Sequence, residues 1–260
     1  MLAGTELVLV RHGETEWNVQ KRLQGSRDSP LTARGVDSAR QLGRRLAASS
    51  STCSLAACYS SDLGRAWRTA ELVTAALPGG VLVPVSDSSL RERSFGCLEG
   101  KTAAEAASLH PEAQRRMRER DWRYEAPGGG ESRAAATERV MGALRRIAEA
   151  HAGQRVLVVT HSAVLSLVAT RVSGLAEQST SPGISPFALP NTALNVLAWH
   201  GEGWRVRLWG DVGEFAPGPG PGGAGGGGAG VGFSMCVAVA AAAAAIGFGF
   251  GRFVRRRSSL

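Results

Sequence analysis

Two short apolar runs in this sequence end in histidine. Glu6–Arg11 (ELVLVR) runs into His12-Gly13-Glu14, and Arg155–Thr160 (RVLVVT) runs into His161-Ser162. A single histidine at a strand end is usually a structural hydrogen-bonding group. Two at equivalent ends, one preceded by Arg11, point to a site, because open α/β sheets bind ligands beyond the carboxyl ends of their strands. Missing motifs narrow the chemistry. There is no GxxxxGK[ST] phosphate loop, and the tract Gly222–Gly230 has neither the lysine nor a preceding strand. No GxSxG elbow surrounds Ser162, as a serine hydrolase would need. His12-Gly13-Glu14 has the HxE spacing of zinc deaminases, but no PCxxC follows, and HExxH is absent. Histidine, arginine and carboxylate without metal-ligand spacing suit phosphoryl chemistry run without a metal. Guanidinium groups supply bidentate contacts and positive charge where a metal would sit. An imidazole can act as the nucleophile.

These groups need elements to position them. Glu6–Arg11, Ala57–Ser60, Val81–Val85 and Arg155–Thr160 read as short buried strands rich in Val and Leu, as parallel sheets require. Leu194–Trp199 and Trp204–Leu208 flank His200-Gly201-Glu202-Gly203, which reads as a hairpin turn. Thr32 is placed to cap a helix with Val36, Ala39, Leu42 and Leu46 along one face. Ala66–Ala76, Ser132–Ala150 and Ser162–Val172 read as further helices. Strands alternating with helices predict an α/β domain with a mostly parallel sheet. If the two histidine strands are parallel neighbours, both imidazoles reach one end of that sheet.

The chain has 260 residues and a formal net charge of +8. Arg252, Arg255, Arg256 and Arg257 follow Glu214 with no acidic residue among them, and without those four the excess is +4. That remainder fits an enzyme of anionic substrates and gives no ground for nucleic-acid binding. Cys53, Cys58, Cys97 and Cys236 form no CxxC pair and read as reduced thiols. With no signal peptide apparent, a cytoplasmic catalytic domain over residues 1–216 is expected. Residues 217–230 read as a Gly/Pro linker. The uncharged run Val231–Gly251, within a tail of residues 231–260, reads either as a membrane anchor giving contact with a bilayer or as disordered Ala/Gly low complexity.

Six segments follow in order: LVLVRHGETEWN at Leu7–Asn18, RLQGSRDSPLTARG at Arg22–Gly35, YSSDLGRAWRTAE at Tyr59–Glu71, LRERSFGCLEG at Leu90–Gly100, PGGGES at Pro127–Ser132 and VLVVTHSAVL at Val156–Leu165. Together they resemble the histidine phosphatase superfamily, in particular its phosphoglycerate mutase-like branch of plants and algae. The resemblance spans roughly Thr5 to Val212. It implies a three-layer α/β/α fold and no cofactor or metal. It also implies that His12 becomes phosphohistidine, that Arg11, Arg65 and His161 line the phosphate pocket, and that Glu92 is the general acid. Asn18, Gln24 and Gly25 would approach phosphate or substrate, and Gly13 would let the backbone approach the phosphate. Glu99 is the rival for the acid. Arg65 has the alternative of a solvated helix arginine, as Arg68 is read. Glu14 and Glu16 read as structural or solvated, Cys97 as packing, and Trp17 as core or pocket wall.

Two departures stand out. His161 is followed by Ser162-Ala163 rather than glycine, and Ser162 is expected to cap the helix and leave its amides available. The stretch from Glu92 to His161 is shorter than in true mutases and lacks their lid, which favours hydrolysis. The cap around Thr102–Tyr124 has no readable specificity code, and its run Arg115, Arg116, Arg118, Arg120 and Arg123 reads as a solvated face, with contact to an anionic substrate as the alternative. The expected function is a metal-independent phosphomonoesterase acting on a small phosphorylated metabolite such as a sugar phosphate, phosphoglycerate or phosphoserine. The rivals are a cofactor-dependent phosphoglycerate mutase and a catalytically silent binding protein.

Overall fold

In a computed structural model, residues 4–48, 55–78, 82–174, 187 and 189–213 are described. The linker, the candidate tail, Cys53 and Cys236 lie outside them. The elements run β1 (Thr5–Arg11), α1 (Glu16–Val19), α2 (Ala33–Ala48), β2 (Leu55–Ser60), α3 (Gly64–Thr74), β3 (Val85–Ser86), α4 (Ala103–Leu109), α5 (Pro111–Arg118), α6 (Arg133–Ala150), β4 (Arg155–Thr160), α7 (Ser162–Val172), β5 (Leu194–Trp199) and β6 (Trp204–Asp211). The strands form one sheet in the order β3-β2-β4-β1-β5-β6. β3, β2, β4 and β1 are parallel, whereas β5 and β6 continue the sheet antiparallel as the expected hairpin.

The near-continuous apolar runs of β1 and β4 are explained by burial on both faces. Leu7, Leu9, Val156 and Val158 pack against Val140, Leu144, Ile147 and Leu165 of α6 and α7. The alternate residues Val8, Val10, Leu157 and Val159 pack against Leu42, Leu46, Ala66, Ala70 and Val73 of α2 and α3. Helices therefore cover both faces, giving the α/β/α layering. Thr32 accepts a hydrogen bond from the Gly35 amide at the start of α2, and Ser132 caps α6. The strand expected at Val81–Val85 is corrected. Among the described residues it shrinks to Val85–Ser86 at the sheet edge, with both residues exposed. Pro84 has no N–H to give a ladder, which suits an edge and not a buried strand.

Candidate active site

The register of β1 against β4 sets Arg11 opposite Thr160, so the next residue of each strand is one of the two histidines. The His12 amide donates to the Thr160 carbonyl at 3.0 Å, and the rings of His12 and His161 lie 5.3 Å apart between centroids. His12 Nδ1 is 2.7 Å from the Gly13 carbonyl oxygen. A carbonyl only accepts, so Nδ1 carries the proton and Nε2 keeps its lone pair. Burial, then the charges of Arg65 and Arg11, hold the His12 pKa well below the usual imidazole value, so the ring is neutral near pH 7. A buried neutral imidazole beside two guanidinium groups has the chemistry to attack an anionic electrophile.

The two arginines are held by backbone carbonyls, not consumed by carboxylates alone. Arg11 donates through Nη1 to the Leu189 carbonyl. Burial lowers its pKa most, with Arg65 adding to the fall and Glu92 opposing it. Arg65 is 1% exposed, which rules out a solvated helix arginine. It donates to the carbonyls of Gly25 at 2.8 Å and Arg27 at 2.6 Å, and pairs with Asp28 at 3.0 Å. Arg68, one turn on, is exposed and paired with Glu71, as read from the sequence. Thr69 accepts from the Gly13 amide and donates to the Arg65 carbonyl, tying α3 to the histidine turn.

The two candidate acids separate cleanly. Glu92 receives the amides of Arg93 at 2.9 Å and Ala163 at 3.1 Å and lies on the wall of the cavity. Glu99 is engaged elsewhere: Ser26 through amide and hydroxyl and the Phe95 amide donate to it. It braces the Gly25 turn and does not line the cavity that Glu92 lines.

A cavity of about 340 Å³ opens at this end of the sheet. Arg11, His12, Asn18, Gln24, Gly25, Arg65 and Glu92 line it, so seven of the eight residues singled out in the sequence converge. His161 does not line it. It is wholly buried beside His12, with Nε2 2.8 Å from the Ser61 hydroxyl and Nδ1 lacking a partner among the described residues. Burial first, then Arg65, pushes its pKa down as well.

Gly13 has a packing requirement of its own: a Cβ there would stand 2.8 Å from the Gly35 carbonyl oxygen. Two further expectations are corrected. Ser162 does not cap α7. His161 occupies the cap position without a side-chain bond, and the Ala163 amide is taken by Glu92. The cap arginines split. Arg115 and Arg116 are paired on the surface with Glu112, Glu119 and Asp121, but Arg120 is buried against the cavity. Glu14 is structural, accepting from Thr32 and Arg34. Cys97 packs in a small cluster with Phe95 and Leu98.

Several site residues gave no signal in the sequence. Asn191 donates to the His12 carbonyl and to Asn18 Oδ1, so it fixes both strand end and α1. In the sequence it is one polar residue in a turn before β5. Arg93 and Arg133 also line the cavity, together with Arg120 of the cap's basic run, for which the sequence left contact with an anionic substrate open.

Residues 7–212 match the histidine phosphatase superfamily (branch 1). The chain is similar to phosphoglycerate mutase-like protein 4 of Arabidopsis thaliana, with 36% identity over 80% of this chain and 85% of that protein. It is 38% identical to a metal-independent phosphoserine phosphatase of the same plant, over 80% of this chain and 82% of the other. Among solved structures, Bacillus stearothermophilus YhfR superposes with a TM-score of 0.69 at 36% identity, covering 80% of this chain and 98% of that one. A mycobacterial glucosyl-3-phosphoglycerate phosphatase superposes at 0.66 with 27% identity, over 79% and 98%.

Proposed function

The chain belongs to the histidine phosphatase superfamily, and from that premise we propose that it hydrolyses a small phosphate monoester through a phosphohistidine at His12, without a metal. The observation that supports this most is the His12 tautomer: Nδ1–H is committed to the Gly13 carbonyl, and Nε2 is free and neutral between Arg11 and Arg65. In the first step Nε2 attacks phosphorus and the bond to the leaving alkoxide breaks. Arg11 and Arg65 offset the charge spread over the equatorial oxygens. Glu92 gives its proton to the departing oxygen. The Gly13 carbonyl stabilises the charge that the ring acquires. In the second step water attacks phosphorus, the P–N bond breaks, and Glu92 takes the proton from that water. Inorganic phosphate leaves and His12 is neutral again. His161 positions the ring of His12 from the side, and Asn18 and Gln24 edge the phosphate end.

Hydrolysis is favoured over phosphoryl return because the cap contributes only α4 and α5, each eight residues or fewer, and no longer lid between Glu92 and His161. A mutase must keep water from its phosphoenzyme. The test is a rapid-quench reaction with labelled substrate. Acid-labile, base-stable label should appear on His12, and His12→Ala should abolish both label and turnover. Label on Ser, Cys or Asp would sink the mechanism, and activity removed by EDTA and restored by Mg²⁺ would sink metal independence. Among the described residues no helix is long and apolar enough to cross a membrane. We retain Val231–Gly251 as a candidate tether for a cytoplasmic enzyme.

A further inference from the structure

The turn before β5 supplies a side chain that the phosphoryl-transfer steps do not use. Asn191 stands 179 residues from His12 along the chain, yet its Nδ2 donates to the His12 carbonyl at 2.9 Å and to Asn18 Oδ1 at 3.2 Å. Chemistry fixes which way this amide points, because a main-chain carbonyl only accepts. The Asn18 amide is fixed in the same way. The Thr15 amide donates to Asn18 Oδ1 at 3.2 Å, so that end is oxygen. With Oδ1 held by two donors, the NH2 is the end left for the cavity that Asn18 lines. An NH2 there donates to a phosphate oxygen, whereas a carbonyl in its place would repel one. A side-chain amide carries two hydrogens on one nitrogen, so His12 and Asn18 each receive one. A serine or threonine has one hydrogen to give, and a carboxylate none.

The His12 contact reaches the ring through the main chain. Asn191 holds the carbonyl of the His12–Gly13 peptide, and Thr69 Oγ1 holds its N–H at 2.9 Å. With both sides of that peptide plane held, the chain leaves the strand in a set direction. It presents the Gly13 carbonyl to His12 Nδ1 at 2.7 Å. That bond sets the tautomer on which attack by Nε2 depends. The turn is anchored to the same strand end. The Thr192 amide donates to the Arg11 carbonyl at 3.0 Å, and the Leu189 carbonyl accepts from the Arg11 guanidinium. Thr192 is β-branched, 4% exposed and held at φ +58°. A backbone this unfavourable persists where the surroundings over-determine it, often at functional sites.

We infer that Asn191 is a positioning residue for phosphoryl transfer: it holds the main chain behind the His12 ring and keeps the Asn18 NH2 turned toward the phosphate. Asn191 does not itself line the cavity, so it acts through these two residues. This rests on the phosphomonoesterase reading and adds to it a residue that touches neither the phosphate nor the leaving group.

The test is a double-mutant cycle between Asn191→Leu and Asn18→Ala on the full chain. Leucine fills a similar space, donates nothing and adds no charge. Two quantities are read: the Ki of inorganic phosphate, and the rate of phosphohistidine formation from p-nitrophenyl phosphate. Asn191→Leu alone should weaken phosphate inhibition by about three- to ten-fold, up to the value of one charge-assisted hydrogen bond. Placed in Asn18→Ala, it should weaken phosphate inhibition by less than about two-fold, because the contact it acts through is already gone. Phosphohistidine formation should still slow by about ten-fold in both backgrounds, through the main chain of His12. Melting curves establish that each variant is folded. If leucine unfolds the chain, Asn191→Ser, which is smaller and keeps one hydrogen, carries the same cycle. Losses of phosphate affinity that multiply in the double variant would overturn the inference and leave the phosphatase reading standing. So would an unchanged rate of phosphohistidine formation, or a lower melting temperature with both quantities unchanged. No turnover and no phosphohistidine in wild type would overturn the phosphatase reading and this inference with it.

Discussion

At the scale of single residues, the chemistry turns on which proton sits where. In the proposed mechanism Glu92 protonates the leaving oxygen, since it lines the cavity while its rival Glu99 braces the Gly25 turn. Glu92→Gln should therefore slow hydrolysis of alkyl phosphates by about 10²–10⁴-fold. Phosphorylation by p-nitrophenyl phosphate should suffer far less, since nitrophenolate hardly needs a proton. Pre-steady-state rates for both substrates decide this, and equal losses would make Glu92 structural. His12 carries a second prediction. It must be neutral to attack, and burial with Arg65 and Arg11 lowers its pKa. The reactive form therefore survives to a pH below the ordinary imidazole range. The acid limb of the phosphorylation rate assigned to His12 should lie below the usual value of about 6.5. An inflection at or above that value that persists with a substrate of different phosphate pKa would contradict the assignment.

At the scale of elements, one turn connects the phosphate arginine to the cap. Gly25 has φ +58°, and a Cβ there would run into the Glu99 carboxylate. Its carbonyl accepts from Arg65, and Glu99 in turn secures Ser26 and Phe95. Gly25→Ala should thus displace a brace and strain the backbone together, destabilising the protein by about 1–3 kcal/mol. It should also lower kcat/KM more than ten-fold by moving Arg65. Denaturant melts and kinetics on the same sample check both. A variant that melts lower with normal kinetics would show that the turn does not hold Arg65. The parallel pairing of β1 with β4 works in the same way on a larger element. It places the two histidines together through backbone register, so their alignment costs no side-chain ordering of its own.

At the scale of the whole molecule, every residue given a role lies between Arg11 and Asn191. The family match also ends at residue 212. A version ending at Ala216 should therefore retain kcat/KM on a soluble ester within about two-fold of the full chain, as expected when distant parts do not couple. Activity assays on both versions measure this. Fractionation of the full chain then tests the tail: its release from membranes by alkaline carbonate would rule out a spanning anchor.

The sequence by itself determined the sheet's central strands, four of the seven helices among the described residues and most of the residues gathered at the candidate site. Val and Leu runs buried on both faces, and motifs at fixed distance from strand ends, are local patterns that read directly. His12, Arg11, Arg65 and Glu92 were legible because each is tied to such a motif. The edge strand near Val81–Val85 misled because burial depends on neighbours, and there a single weak pairing replaces a sheet interior. The tertiary structure decided what depends on contacts between distant segments. It put Asn191 on the His12 carbonyl, gave Glu99 to the Gly25 turn, and took His161 off the cavity wall. It also divided one basic run into paired surface arginines and a buried, unpaired Arg120. Charge is written in the sequence, but whether a charge has a partner is a property of distance and burial, and only the folded chain fixes those.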